Sequence, residues 1–171
     1  MPLSMSALTV PVFVRMLNNL SALLDKGVAF AEAKKIEPGV LLASRLAPDM
    51  FPLSRQVQLS TDFAKGTVAR LAGLEPPPMP DTETTVAELK ERIAKTIAFV
   101  KSVDTAAIDA GETRDITITM RTGAMTFKGT PYMLHFAMPN FYFHVSAAYA
   151  ILRENGVDVG KRDFMGQPDS I

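Results

Sequence analysis

Residues 51–73, FPLSRQVQLSTDFAKGTVARLAG, carry the start, the repeat and the stop of one helix. Pro52 suits a first turn, where a backbone N–H has no partner to lose, and Gly73 suits a C-terminal cap, where the chain turns left-handed. Between them Leu53, Val57, Ala64, Val68 and Leu71 recur at helical spacing and mark one apolar face. A helix needs an apolar partner for such a face, so the neighbouring segments decide what kind of helical fold this is.

Toward the N-terminus, Val10, Phe13, Leu17, Leu20, Leu24 and Val28 step by three and four and predict a long helix from Ser6 to about Ala33, with Pro11 in its first turns. About 18 residues from Lys34 to Phe51 then connect the two, with Pro38, Gly39 and Pro48 as breakers and room for a helical turn at Val40–Ser44. That length permits a crossover as well as a simple turn, so the helix connections stay open. Toward the C-terminus, LEPPPMPDTE (74–83) excludes regular structure, because its prolines lack backbone donors. Thr85 and Glu88 then have the spacing of a capping box ahead of Val86, Leu89, Ile93, Ile97 and Val100, a third helix reaching about Val103.

In RDITITMRTGAMTFKG (114–129) the period changes. Ile116, Ile118 and Met120 alternate with Asp115, Thr117 and Thr119, and RTG (121–123) precedes Met125 and Phe127, which predicts a short β-hairpin. Thr130 suits the cap of a fourth helix with Pro131 at its first position, and Asn155 and Gly156 suit its end. Residues 157–171 show no period and are expected to pack over the rest. The expectation is one all-α domain over 1–171, a four-helix bundle with a short β-hairpin between helices 3 and 4.

Composition narrows the function. Lys+Arg and Asp+Glu are both 18, which argues against a nucleic-acid partner held through phosphates. There is no cysteine, which removes disulfides, thiol nucleophiles and thiolate metal sites, and fits the cytoplasm. The N-terminal segment lacks a basic signal-peptide region, and no stretch reads as a membrane span. No phosphate loop, nucleophile elbow or dinucleotide glycine pattern occurs. The ten methionines read as core filler.

Candidate polar residues converge on the fourth helix, in MPNFYFHVSAAYAILRENGV (138–157). Pro139 removes the N–H that would bond the His135 carbonyl and predicts a kink or local loosening. Without a change of phase, His135 and His144 fall on opposite faces, so one helix does not offer both to a metal. Asn140 and His144 share a face with Ala137, Ala147 and Ile151, and two polar heads there need partners. Gln58 and Asp62, with Gln56 nearby, repeat the four-residue spacing on the second helix and are the candidate partners. Arg55, Gln58, Asp62 and Lys65 also read as a solvated stripe. Tyr142 and Tyr149 either line a pocket or pack with their hydroxyls outward. Lys161, Arg162 and Asp163 either hold an anion or dock the tail by ion pairs.

LAPDMFPLSRQVQ, AKTIAF, LHFAMPNFYFH, AYAILRENGV and GKRDFMG resemble, across most of the chain, an uncharacterised branch of the DinB-like superfamily of bacterial four-helix proteins, known as a domain of unknown function. The resemblance implies a bundle whose divalent ion, in typical members, is held by a histidine on the second helix and a histidine pair on the fourth, and some members transfer thiols or isomerise thiol-dependent substrates. Carried over, the second histidine of the pair falls on His144, the first on Asn140, and the second-helix ligand near Gln58 or Gln56, with Asp62 able to add a carboxylate. Amide oxygens are weak ligands for zinc or nickel, so a degenerate metal site is expected.

Three functions remain open. One is a small-molecule-binding or stress-related bundle, with a pocket walled by Gln56, Gln58, Asp62, Asn140, Tyr142, His144 and Tyr149. Another is a divalent-metal-dependent transferase or hydrolase with His144, Asn140, Gln58 and Asp62 as ligands. The third is a structural homodimer, and the resemblance implies a homodimer in either other case.

Overall fold

The computed structural model describes residues 3–120 and 123–167. Helix α1 runs Met5–Lys34; the Ser4 side chain caps it by accepting from the Ala7 N–H, and Lys35, at φ 56°, ends it in the left-handed region. Pro11 lies in its second turn, as expected among the first turns, and the helix continues through it. By length and composition alone α1 could cross a membrane, but Phe13, Leu17, Leu20 and Leu24 are buried in the bundle. A short α2, Pro38–Ala43, sits where a helical turn was predicted.

Helix α3 is Leu53–Leu71, with Pro52 just outside it and Ala72 as its last cap. All five residues of its predicted stripe are buried. Gly73 follows at φ 76°, and the Leu74 N–H donates to the Ala69 carbonyl, so the stop signal operates one residue beyond the cap. Helix α4, Val86–Ser102, begins with the predicted capping box: the Glu88 N–H donates to Thr85 Oγ1 at 3.2 Å and the Thr85 N–H to Glu88 Oε2 at 2.9 Å. A short α5, Thr105–Asp109, was not foreseen; Asp109 Oδ1 accepts from the Ser6 N–H at 2.7 Å and so helps to satisfy the start of α1.

Strands β1, Asp115–Met120, and β2, Gly123–Lys128, pair antiparallel with Ile116 opposite Phe127 and Thr117 opposite Thr126. The expected turn at Arg121 and Thr122 lies outside the described residues. Helix α6, Gly129–Pro131, starts with Lys128 as its cap rather than Thr130, because the Thr130 N–H and hydroxyl both reach back to the Glu112 carbonyl. There follow a π-helical segment, Tyr132–Ala137, helix α7, Met138–Glu154, and helix α8, Lys161–Met165.

Four long helices form the bundle: α1 and α3 each pack against both α4 and α7, with the hairpin between α4 and α7 in the chain. The Phe13 and Phe141 rings meet edge-on at 4.8 Å across α1 and α7. Helix α8 lies on α1: Asp163 pairs with Lys26 at 2.7 Å, Asn19 donates to the Phe164 carbonyl, and the Phe164 ring meets Tyr149 edge-on at 5.7 Å.

Candidate functional site

The π-helical segment explains how the fourth helix accommodates Pro139. The Met138 N–H donates to the Met133 carbonyl, five residues back, and the next donor in that register would be Pro139, which has none. The helix loosens at the predicted place, as a π segment and not as a simple bend. Asn140 fills part of the gap by donating from its own amide to the Phe136 carbonyl at 2.7 Å. Its head is therefore turned back on its own helix. His135 is exposed and His144 buried, so the two histidines do face apart.

His144 finds its partner on α3. Its Nδ1 lies 2.8 Å from Gln56 Oε1, while Gln56 Nε2 donates to the Phe51 carbonyl at 3.1 Å. The Phe51 carbonyl can only accept, so it fixes which end of the Gln56 amide is the donor. The other end must accept, so Nδ1 of His144 carries the proton and Nε2 holds a lone pair. His144 keeps 8% exposure, and no buried side-chain nitrogen or oxygen among the described residues lacks a partner. Nε2, without a partner among the described residues, therefore lies at the exposed edge. Phe63 stacks on the ring at 5.6 Å and Phe143 meets it edge-on at 5.3 Å. Burial, followed by the positive charge of Arg55, pushes the imidazole pKa down to about 4, so the ring is neutral near pH 7.

Gln58 and Asp62 turn elsewhere, to a residue that pattern reading passed over. Arg92 of α4 is 3% exposed and uses its whole guanidinium: Nε donates to Thr61 Oγ1 at 2.7 Å, Nη2 to Asp62 at 2.7 Å and Asp81 at 3.0 Å, and Nη1 to Glu83 and the Pro80 carbonyl. Gln58 donates to Glu83 at 2.9 Å and accepts from Arg55, which also pairs with Asp81; Lys65 closes on Asp62 at 2.9 Å. Burial disfavours the Glu83 carboxylate, but hydrogen bonds from backbone, Arg92 and Gln58, with the Arg92 charge, outweigh it and hold its pKa below the usual value. Gln58 and Lys65 are buried, so the supposed solvated stripe of α3 is the inner half of an ionic network that clamps the proline-rich loop to the bundle. Arg92 was missed because a lone arginine in an amphipathic helix reads as surface; the faint signal was its place beside Ile93 in the α4 stripe.

The other candidates scatter. Tyr142 is exposed on α7, and Tyr149 is half-buried under α8. Asp163 ties α8 to α1 and caps α8 by accepting from the Gly160 N–H, whereas Lys161 and Arg162 make no ion pair among the described residues. Among the described residues, none of the seven expected pocket residues lines any of five cavities in the surface. Three of these are a polar depression of about 530 Å³ between β1 and the end of α3, an apolar groove of about 500 Å³ between α1, α2 and the start of α4, and one of about 350 Å³ under the proline-rich loop.

A divalent ion does not fit this donor set. Asn140 is committed to Phe136, Gln58 and Asp62 to the Arg92 network, and Arg55 places positive charge near His144. Among the described residues no three His, Asp or Glu side chains gather to hold a metal.

The bundle and its hairpin insertion define a DinB-like four-helix-bundle protein. Residues 5–165 match Domain of unknown function (DUF1993), and the chain belongs to that family. It is similar to a crystal structure of a DinB family member protein from Shewanella denitrificans, at 44% identity and a TM-score of 0.91 over 97% of this chain and 94% of that one. No curated protein matches.

Proposed function

We propose that this protein is a small-molecule-binding bundle whose polar contact is Nε2 of His144. The supporting observation is the relay from the Phe51 carbonyl through Gln56, which orients the imidazole with its lone pair outward. Depression of the pKa to about 4 keeps that lone pair available at neutral pH. Phe63 provides apolar contact, and Arg55, whose guanidinium lies 6.0 Å from the Phe51 ring centroid, supplies positive charge. A neutral or anionic ligand that donates one N–H or O–H hydrogen bond suits this arrangement. A homodimer is part of this reading, with the family resemblance as its support; equal numbers of acidic and basic residues argue against a nucleic-acid complex, and the absence of cysteine supports a cytoplasmic setting.

Thermal-shift measurements against a library of polar metabolites test the reading. Compounds that raise the Tm of the wild type and not of His144→Phe are expected; equal shifts in both proteins, or none in either, would overturn it. Metal content by plasma mass spectrometry, after dialysis against zinc, nickel and manganese, is expected to show no stoichiometric ion. One ion per chain, lost in His144→Ala, would replace this reading with a metal-dependent one.

A further inference from the structure

From Gly129 to Leu152 the sequence has no Asp, Glu, Lys or Arg, the longest such run in the chain. The inward face of this stretch needs none. Its outward face is a different matter, because the surfaces of the other long helices carry charge, as with Asp25 and Lys26 on α1 and Glu88, Glu91 and Lys95 on α4. From Tyr132 to Leu152 the exposed positions are Leu134 at 49%, Tyr142 at 39% and Phe143 at 56%, with His135, Pro139 and Ser146, and charge returns only with Arg153 and Glu154 at the end of α7. A helix that is apolar on all sides is ordinarily covered on all sides.

Charge selects what covers it. A partner with ordinary surface charge would have to desolvate it against an uncharged stripe that offers no compensation. A second copy of the same stripe meets no such cost, and under two-fold symmetry like faces like. The chain has no net charge, so two copies do not repel. The stripe is long enough as well: residues 131–150 extend about 30 Å, as far as a standard interface of roughly 800 Å² per partner reaches across. Exposed aromatic side chains of the kind that anchor interfaces sit at its centre, Tyr142 and Phe143.

We infer that the outward face of α7 and its π segment, centred on Phe143, is the surface through which two copies of this chain associate about a two-fold axis. This gives the homodimer proposed above its surface, and its failure leaves the ligand reading of His144 standing.

Sedimentation of the full chain, without ligand, is the test. The wild type is expected at about 37 kDa, twice 18.6 kDa, and Phe143→Lys at the monomer mass with its helical circular dichroism intact. Val40→Lys, at an exposed apolar site on α2, is expected to remain dimeric. Because the chain has no cysteine, Ser146→Cys supplies a readout that does not depend on a disruptive variant: mild oxidation should link two chains, and Val40→Cys should not. A monomeric wild type, a Phe143→Lys variant that stays dimeric, or equal crosslinking at both positions would overturn the inference.

Discussion

His144 has two properties that follow from one contact. Gln56 fixes its tautomer, and the burial that accompanies that contact lowers its affinity for a proton. An unfolded chain takes up that proton near pH 6.5, the folded chain only near pH 4, so stability falls as pH drops through this window. The slope is about 1.4 kcal/mol per pH unit and the sum about 3 kcal/mol. Urea unfolding at pH 7 and pH 4.5 should show the loss in the wild type and a much smaller one in His144→Gln. Nitrogen NMR at pH 7 should find the proton on Nδ1, and Gln56→Leu should release that preference. Arg92 is the opposite kind of residue, a buried charge that is fully compensated. Arg92→Leu leaves Asp62, Asp81 and Glu83 facing one another and should cost about 3–5 kcal/mol in unfolding free energy. Histidine's place on the inward face was legible from its spacing with Ala147 and Ile151. Its partner was not, because Gln56 and Gln58 are two residues apart on one helix, and only the packing of α3 on α7 decides between them.

The elements show where local sequence was decisive. The capping box of α4 could be read because both of its halves lie within four residues, and Thr85→Ala should lower stability by about 1 kcal/mol. The π segment could be anticipated only as a disturbance: Pro139 says that a donor is missing, but the register that replaces it depends on the surroundings. Short helices α5 and α8 escaped pattern reading because five residues hold too few apolar positions to define a period. A further constraint ties the hairpin to the bundle. A Cβ on Gly129 would run into the Gly111 carbonyl, and one on Gly111 into the Leu71 carbonyl, so three backbone segments meet with no room for a side chain. Gly129→Ala should therefore destabilise by more than about 2 kcal/mol, measured by thermal unfolding, although it replaces the residue at an ordinary helix start.

At the scale of the whole molecule, the four amphipathic stretches sufficed for the bundle, because each apolar face has only the others to pack against. Connections were beyond the reach of periodicity. The long segment between α1 and α3 holds α2, and the proline-rich segment between α3 and α4 has no helix or strand at all. What holds that second segment is side-chain chemistry: Pro80, Asp81 and Glu83 are gripped by Arg55, Gln58 and Arg92. Glu83 contributes above its ordinary carboxyl pKa of 4.5, and its contribution disappears as pH falls through its lower folded value. The loop and the helices thus have separate acid sensitivities. Below pH 4.5, where most of the His144 loss has already occurred and the Glu83 carboxylate begins to be protonated, the amides of residues 81–85 should exchange with deuterated solvent ahead of those in α3 and α4. The segment is a cover that opens by losing charge, so a protease that works in acid would make its first cut there and leave two helical fragments still associated.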